Sequence, residues 1–486
     1  MTIKAFRWSV GASVLLTVLL HLRFFFTPLT SDEGGYLAIA RAWGHGRDLY
    51  RQVWIDRPQG LLVLFRAWDD VAGGSTASVR ILATVFAAVA VVAGAFIADA
   101  LGSPRAGALA AAFVAIISST PVLEGFIANG ELLSGALSTA GLAVGCIVLA
   151  GRCNLRWMYV AGLLAGCAMS IKQSGFDGFV AIFAWLILAL GLAWRERRYV
   201  LHALCLVVGG LATVMAVLAA HGALTGWHDW WFAVAGYRLD SRSALVGADW
   251  GRLLTTARVA APILSPLLIG SIACGVALYV TPARRPRPEH SMLLIWLLAA
   301  SAAFLSGGQF HRHYWITLTF PLAVIAAMLI ASVRVFWIRS ALAWAVIVPA
   351  LVSAIVIIGL PRDQVPVRAS NDPRLIIDEH MADWYRANHA PGETMYILCA
   401  SAAFYGNALE DPPYPYLWLD GVRQVPGARE ALGTMLSTAA QRPTFVALYQ
   451  STSGCDPSGV SGRAFDQYYR PLAIVDGVQI VVRTDR

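Results

Sequence analysis

The feature that most constrains this chain is a succession of apolar runs, separated by short turns rich in arginine. Trp8 to Phe26 opens the series, and further runs occupy about 77–100, 106–122, 132–150, 157–173, 176–194, 199–221, 256–280, 291–306, 315–332 and 341–360. Runs of this length match the hydrocarbon thickness of a bilayer. Only 14% of the residues are charged, against about 25% in ordinary globular chains. The sequence predicts a polytopic α-helical membrane protein with about eleven transmembrane helices. Trp8 to Phe26 follows Lys4 and Arg7 and lacks a small-x-small cleavage site, so it reads as an uncleaved anchor with the amino terminus inside.

Arginine placement sets the sidedness. Alternating the runs puts Ser103-Pro104-Arg105, Arg152 to Arg156, Arg195 to Arg198, Arg284 to Arg287 and Arg334 to Arg339 on one face, expected to be cytoplasmic. A net charge of +8 distributed in this way is a topology signal and argues against a nucleic-acid partner. Lys4 and Lys172 are the sole lysines, an arginine bias that suggests a GC-rich bacterial source and so a bacterial plasma membrane. Asp32, Glu33, Asp48, Asp56, Asp69, Asp70, Glu124, Glu131, Asp229, Asp240 and Asp249 fall on the opposite, outer face. So does the carboxyl-terminal tail.

The first outer loop, 27–76, is too long to be a passive connector. Tyr36, Ile39, Ala40 and Trp43 recur at helical spacing, as do Leu61, Leu64, Phe65 and Trp68, which predicts two amphipathic helices lying in the membrane interface. Residues 1–360 therefore form the membrane region, 361–370 a linker, and 371–486 an extracytoplasmic α/β domain. In that domain Asp372-Pro373 starts a helix with Ile376, Ile377, His380, Met381 and Trp384 on its apolar face. Residues 394–398 and 444–448 read as buried strands around a helix near 429–440. The runs 472–475 and 478–482, joined by Asp476-Gly477, predict a hairpin. An outward domain also permits a disulfide between Cys399 and Cys455.

Charged groups concentrate where the outer loops meet the helices. In Thr30-Ser31-Asp32-Glu33, Thr30 and Glu33 fit a capping box and Asp32 suits a first helical turn. Adjacent carboxylates at the mouth of a membrane protein equally suit proton transfer. Glu131 is either a helix-start charge or a site carboxylate. Lys172 is either a snorkelling lysine or, as an ionisable group within a span, a functional one. His311 and His313 are weak candidates for a metal; Arg312 and His313 fit an anionic head group better, because guanidinium and helix-start N–H groups both suit phosphate. Asp56, Tyr237 and Arg238 are candidates for an acceptor side, with an interfacial aromatic belt as the other reading of 227–238.

Taken in order, Asp32-Glu33, Asp56-Arg57-Pro58, Glu131, Lys172-Gln173 and His313-Tyr314 resemble motifs of membrane glycosyltransferases of the GT-C fold. The nearest branch comprises the bacterial relatives of protein mannosyltransferases, which include aminoarabinose and galacturonosyl transferases. The resemblance covers roughly residues 8–360, and Gln59 departs from it where the family's motif has a second proline. It implies a polyprenyl-phosphate sugar as donor, a cell-envelope glycan, lipid or protein as acceptor, and inversion at the transferred carbon. It implies Asp32 as general base assisted by Glu33, Arg57 at the family's basic position and Glu131 at its second acidic, catalytic position; beside it, elementary electrostatics makes Arg57, Lys172, Arg312 and His313 the candidates for the donor phosphate, which gains charge as it departs. Metal use varies in the family, so the cofactor is left open. The competing expectation is a transporter or flippase of polyprenyl-linked lipids or solutes.

Overall fold

Each apolar run becomes a helix in the computed structural model, which describes residues 1–240, 249–279 and 288–486. The starts are set locally. Thr2, Ser75, Ser103 and Asn129 accept from backbone N–H groups two or three residues into their helices, and Pro104 follows Ser103 in the first turn. Among the described residues, eight helices are long and apolar enough to cross a membrane. Three more, Pro104–Ser118, Trp157–Ile171 and Asp177–Gly191, are apolar but only 15 residues long. At 1.5 Å per residue each spans roughly 22 Å, short of a hydrocarbon core of about 30 Å.

The short helices decide where the cavity lies. Pro104–Ser118 ends before the expected 122 because Pro121 holds Thr120 in extended backbone. The chain then runs irregularly to Asn129, nearly all of it buried. Trp157–Ile171 stops at Lys172, also buried. Such backbone is tolerated at membrane depth where protein encloses it or where it lines a cavity. Close helix pairing helps to pack the bundle: a Cβ on Gly162 would stand 2.0 Å from the Val207 carbonyl oxygen, so only glycine fits there.

The arginine turns that are described gather at one end of the bundle. Arg152 pairs with Asp99, and Arg195 donates to the Leu149 carbonyl at 3.1 Å. The Arg284 to Arg287 turn lies outside the described residues. The carboxyl-terminal domain sits at the other end. Its four-stranded sheet has the order β1-β2-β4-β3, from β1 (Met395–Ile397), β2 (Phe445–Leu448), β3 (Tyr469–Val475) and β4 (Val478–Arg483). β1 and β2 run parallel and the other pairs antiparallel. Asp476 and Gly477, at φ +46° and +81°, make the tight turn that the sequence predicts.

Two expectations fail here. Helix Arg374–Asn388 buries Leu375, Asp378, Met381, Ala382 and Tyr385; of the expected face Met381 is buried and Trp384 packs on Phe445, but Ile376 and Ile377 are only half-buried and His380 is exposed and pairs with Asp476. A buried aspartate broke the apolar pattern, and burial raises its carboxyl to about 7. The second concerns the first loop. Gln59–Ala72 is amphipathic as expected, with Leu61, Leu62 and Phe65 buried and Val71 exposed. Ser31–Gly44 is instead buried on nearly all sides, Glu33 through Ala40 without a break, because the carboxyl-terminal domain rests on it. The helices cross so closely that a Cβ on Gly406 would stand 2.4 Å from Gly34 Cα.

Cys399 and Cys455 form a disulfide with Cα atoms 5.7 Å apart, closing a segment of 56 residues. Thiol labelling of the unfolded chain should rise from five groups to seven on reduction. Loss of the bond by Cys455→Ser should lower domain stability by about 2–4 kcal/mol, measured by chemical denaturation.

Candidate functional site

A cavity of about 380 Å³ lies between the bundle and the carboxyl-terminal domain. The bundle supplies Asp32, Tyr36, Asp56, Arg57, Glu124 and His313, among others. The domain contributes Arg374, Cys399, Ser401, Trp418 and Asp420.

Thr30 caps helix Ser31–Gly44, and the capping box with Glu33 is complete. That leaves the two carboxylates with different surroundings. Glu33 is fully buried: it accepts from Arg80 Nη1 at 2.7 Å, Ala128 N–H at 2.8 Å, and the Thr30 N–H and hydroxyl at 3.0 and 2.9 Å. Arg80 also donates to the Pro28 carbonyl at 2.9 Å and lies 4.8 Å from the Phe126 ring. Glu33, expected to act beside Asp32, therefore does not line the cavity; its oxygens are consumed by structure. Asp32, one residue earlier, faces the cavity and has no hydrogen-bond or ion-pair partner among the described residues. Burial raises its carboxyl above the usual range, His313 and Arg57 oppose that, and Glu131 and Glu124 reinforce it.

A cationic group forms around Asp56. Its two oxygens pair with Arg57, at 2.9 Å, and with Arg238. Burial works against that carboxylate's charge, but the two guanidiniums, Arg238 foremost, hold it below the usual carboxylate range. Among the described residues the buried Arg57 Nε–H has no hydrogen-bond partner. Surrounding polar groups fix this segment. Tyr50 donates to the Arg57 carbonyl at 2.9 Å, and Gln173 donates to the carbonyls of Asp56 and Val234, both at 2.9 Å. Gln59 donates to the Leu218 carbonyl at 3.0 Å and accepts from Trp230 at 2.9 Å. The glutamine at the position of the family's second proline thus ties Asp56-Arg57 to its neighbours.

The remaining candidates form a chain of charges under the cavity. His313 Nδ1 lies 2.6 Å from Glu124 Oε2 and its Nε2 lies 3.8 Å from Glu131. Glu131 pairs with Lys172, whose Nζ lies 4.3 Å from the Tyr314 ring centroid. His313, Tyr314 and Glu124 line the cavity; Glu131 and Lys172 do not and lie one layer beneath it. Arg312 is placed elsewhere: it donates to the carbonyls of Arg368 and Ala369 at 3.1 and 2.9 Å and ties the bundle to the segment that leads into the domain. Tyr237 lines the cavity beside Trp54, ring centroids 5.0 Å apart, and donates to Gln424 at 3.1 Å. His311 lines it too, stacked on His313 at 5.5 Å. Among the described residues, no three of His, Cys, Asp and Glu come together as a metal-holding group.

Sequence reasoning missed Arg80 and Glu124 as members of this assembly. Arg80 had a signal, a basic residue inside an apolar run. Glu124 had less, because nothing in the sequence sets it apart from the other acidic residues expected on the outer face; it adopts left-handed backbone at φ +56°.

No family sequence model matches this chain, and no characterised relative matches it in sequence. Solved structures do match its fold. ArnT from Cupriavidus metallidurans bound to undecaprenyl phosphate aligns over 99% of this chain and 98% of its own, with a TM-score of 0.64 and 12% identity. The Archaeoglobus fulgidus oligosaccharyltransferase tethered with an acceptor peptide aligns over 97% of this chain and 73% of its own, with a TM-score of 0.57 and 13% identity. The same archaeal enzyme, AglB, in complex with an inhibitory peptide and a dolichol-phosphate, aligns over 96% and 72%, at 0.55 and 14%. The chain has the GT-C fold of membrane glycosyltransferases.

Cutting the Glu33–Arg80 pair should be more damaging than its distance from the cavity suggests. Arg80→Ala leaves a buried carboxylate uncompensated and should cost about 3–5 kcal/mol, seen as a fall in thermal unfolding temperature. A loss under about 1 kcal/mol contradicts the assignment.

Proposed function

We propose that this chain is a glycosyltransferase that moves a sugar from a polyprenyl-phosphate donor to a hydroxyl-bearing acceptor of the cell envelope, at the membrane face where the carboxyl-terminal domain sits. The observation that carries this reading is Asp32: a carboxylate without a partner among the described residues, in a cavity whose lining also includes Arg57 and Arg238. On the same fold, ArnT binds undecaprenyl phosphate and AglB a dolichol-phosphate.

In this reading Asp32 takes the proton of the acceptor hydroxyl as its oxygen bonds to the anomeric carbon. The bond from that carbon to the phosphate oxygen breaks, and its electron pair leaves with the polyprenyl phosphate. Charge grows on the phosphate, and Arg57 and Arg238 on either side of Asp56 stabilise it. One displacement inverts the carbon. His313, held by Glu124, lines the same cavity and serves the phosphate or the sugar; Glu131 and Lys172 act through it and through Tyr314. Arg312 is not part of this proposal, since backbone carbonyls occupy it. Glu33 is a positioning residue. The aromatic rings of Trp54, Tyr237 and Trp418 give flat apolar faces for a sugar ring.

The test compares purified wild type with Asp32→Asn on a panel of labelled polyprenyl-phosphate sugars, with envelope glycans and lipids as acceptors. Transfer should fall by about 10²–10⁴-fold in a folded Asp32→Asn protein, the usual range for a general base. Equal transfer by both removes Asp32 as the base. The pH profile gives a second check. The base works ionised, and burial raises its pKa, so activity should be lost as pH falls through a limb lying above about 3.9 in kcat/KM. A limb at or below that value contradicts the role.

A further inference from the structure

At the end of the bundle opposite the carboxyl-terminal domain, helix ends leave a second cavity of about 300 Å³. It has the volume of roughly ten waters at about 30 Å³ each, enough for a lipid headgroup. Leu101, Leu149 and Met292 form an apolar side, and Arg152, Arg195 and Glu289 a polar one.

The polar side is incomplete in a specific way. Glu289 Oε1 accepts from Trp194 Nε1 at 2.8 Å, but its Oε2 is buried and has no donor among the described residues. Asp99, the partner of Arg152, leaves Oδ1 in the same condition. Buried acceptors of this kind are nearly always satisfied, by protein, water or ligand. Arg195 shows the opposite shortage. It donates to the Leu149 carbonyl at 3.1 Å and lies over the rings of Trp194 and Tyr199, at 4.5 and 5.1 Å, with no carboxylate partner among the described residues. Among the described residues, a cation without a carboxylate partner thus lines the same cavity as a carboxylate with one oxygen unsatisfied. Both border an apolar surface at the ends of membrane helices, the level at which phospholipid headgroups lie.

We propose that this cavity binds an ethanolamine phospholipid, with its phosphodiester on Arg195 and Arg152, its primary ammonium donating to Glu289 Oε2, and its glycerol end along Leu101, Leu149 and Met292. Soluble phosphoethanolamine carries the same pair of charges, but it has no use for the apolar side. Phosphatidylcholine keeps both charges while its quaternary ammonium has no N–H, so it isolates the Glu289 contact. This site is independent of the transfer reaction proposed above.

Native mass spectrometry of the delipidated full chain, offered equal amounts of phosphatidylethanolamine and phosphatidylcholine, reads the first lipid bound. The wild type should hold the ethanolamine lipid about tenfold more tightly. Glu289→Gln keeps an acceptor for Trp194 but loses the charge, and should bring the two lipids to parity; Arg195→Ala should weaken both. Equal binding of the two lipids by wild type, or a preference that survives Glu289→Gln, overturns the proposal. Displacement of the lipid by free phosphoethanolamine overturns the lipid source and assigns the cavity to a soluble ester. Unchanged thermal unfolding of the variants in detergent shows that loss of binding is not loss of fold.

Discussion

The pairing of Glu33 with Arg80 is the interaction on which the rest of the cavity depends. It joins the start of the first loop helix, an apolar helix of the bundle and the irregular segment 119–129, each of which carries a group of the site. A buried pair of this kind is stable only when its remaining lone pairs and protons are used. Here Thr30, Ala128 and Pro28 use most of them. Successive helical residues point about 100° apart. Glu33 therefore turns inward to hold the frame while Asp32 turns to the cavity, with no partner among the described residues. Two adjacent carboxylates that look equivalent in the sequence are given opposite surroundings by helix geometry.

The cavity itself comes from incomplete helices and a close-fitting domain. Pro104–Ser118 and Trp157–Ile171 end early, and Glu124 and Lys172 lie beyond those ends, both buried. Above them, the carboxyl-terminal domain is seated on the loop helix through Gly34 and Gly406, and the Trp54 N–H donates to the Pro415 carbonyl at 3.1 Å. Ser31 Oγ accepts from the Ala402 N–H at 3.2 Å, one residue from Asp32. The disulfide at Cys399 anchors the same stretch of the domain. The domain is thus part of the cavity wall, and its packing and the placing of Asp32 are one problem.

Much of the fold was legible because bilayer thickness and the arginine turns impose patterns that need no tertiary information. The apolar runs, the capping box, the Asp476-Gly477 hairpin and the Cys399–Cys455 pair all belong to that kind. Features set by packing were not legible. The loop helix Ser31–Gly44 has the spacing of an interfacial helix, and nothing in its own residues says that the distant carboxyl-terminal domain will cover it. In helix Arg374–Asn388 a buried aspartate displaced the apparent apolar face. Within the site, the sequence marks charged residues where loops meet helices, but it does not show their partners. Arg312 and His313 are adjacent, yet one is spent on backbone carbonyls and the other joins Glu124. Arg57 and Arg238, separated by most of the bundle, meet on Asp56.

The central claim is that phosphate recognition and proton transfer are divided between Arg57 and Asp32. Equilibrium binding of labelled undecaprenyl phosphate to the wild type, Arg57→Ala and Asp32→Asn proteins tests it most directly. The account predicts at least about tenfold weaker binding for Arg57→Ala, as expected on losing a charge-assisted contact to phosphate. Asp32→Asn should bind as tightly as wild type or more so, since a nearby negative charge has been removed. Undiminished binding by Arg57→Ala, or binding lost in Asp32→Asn instead, would contradict it.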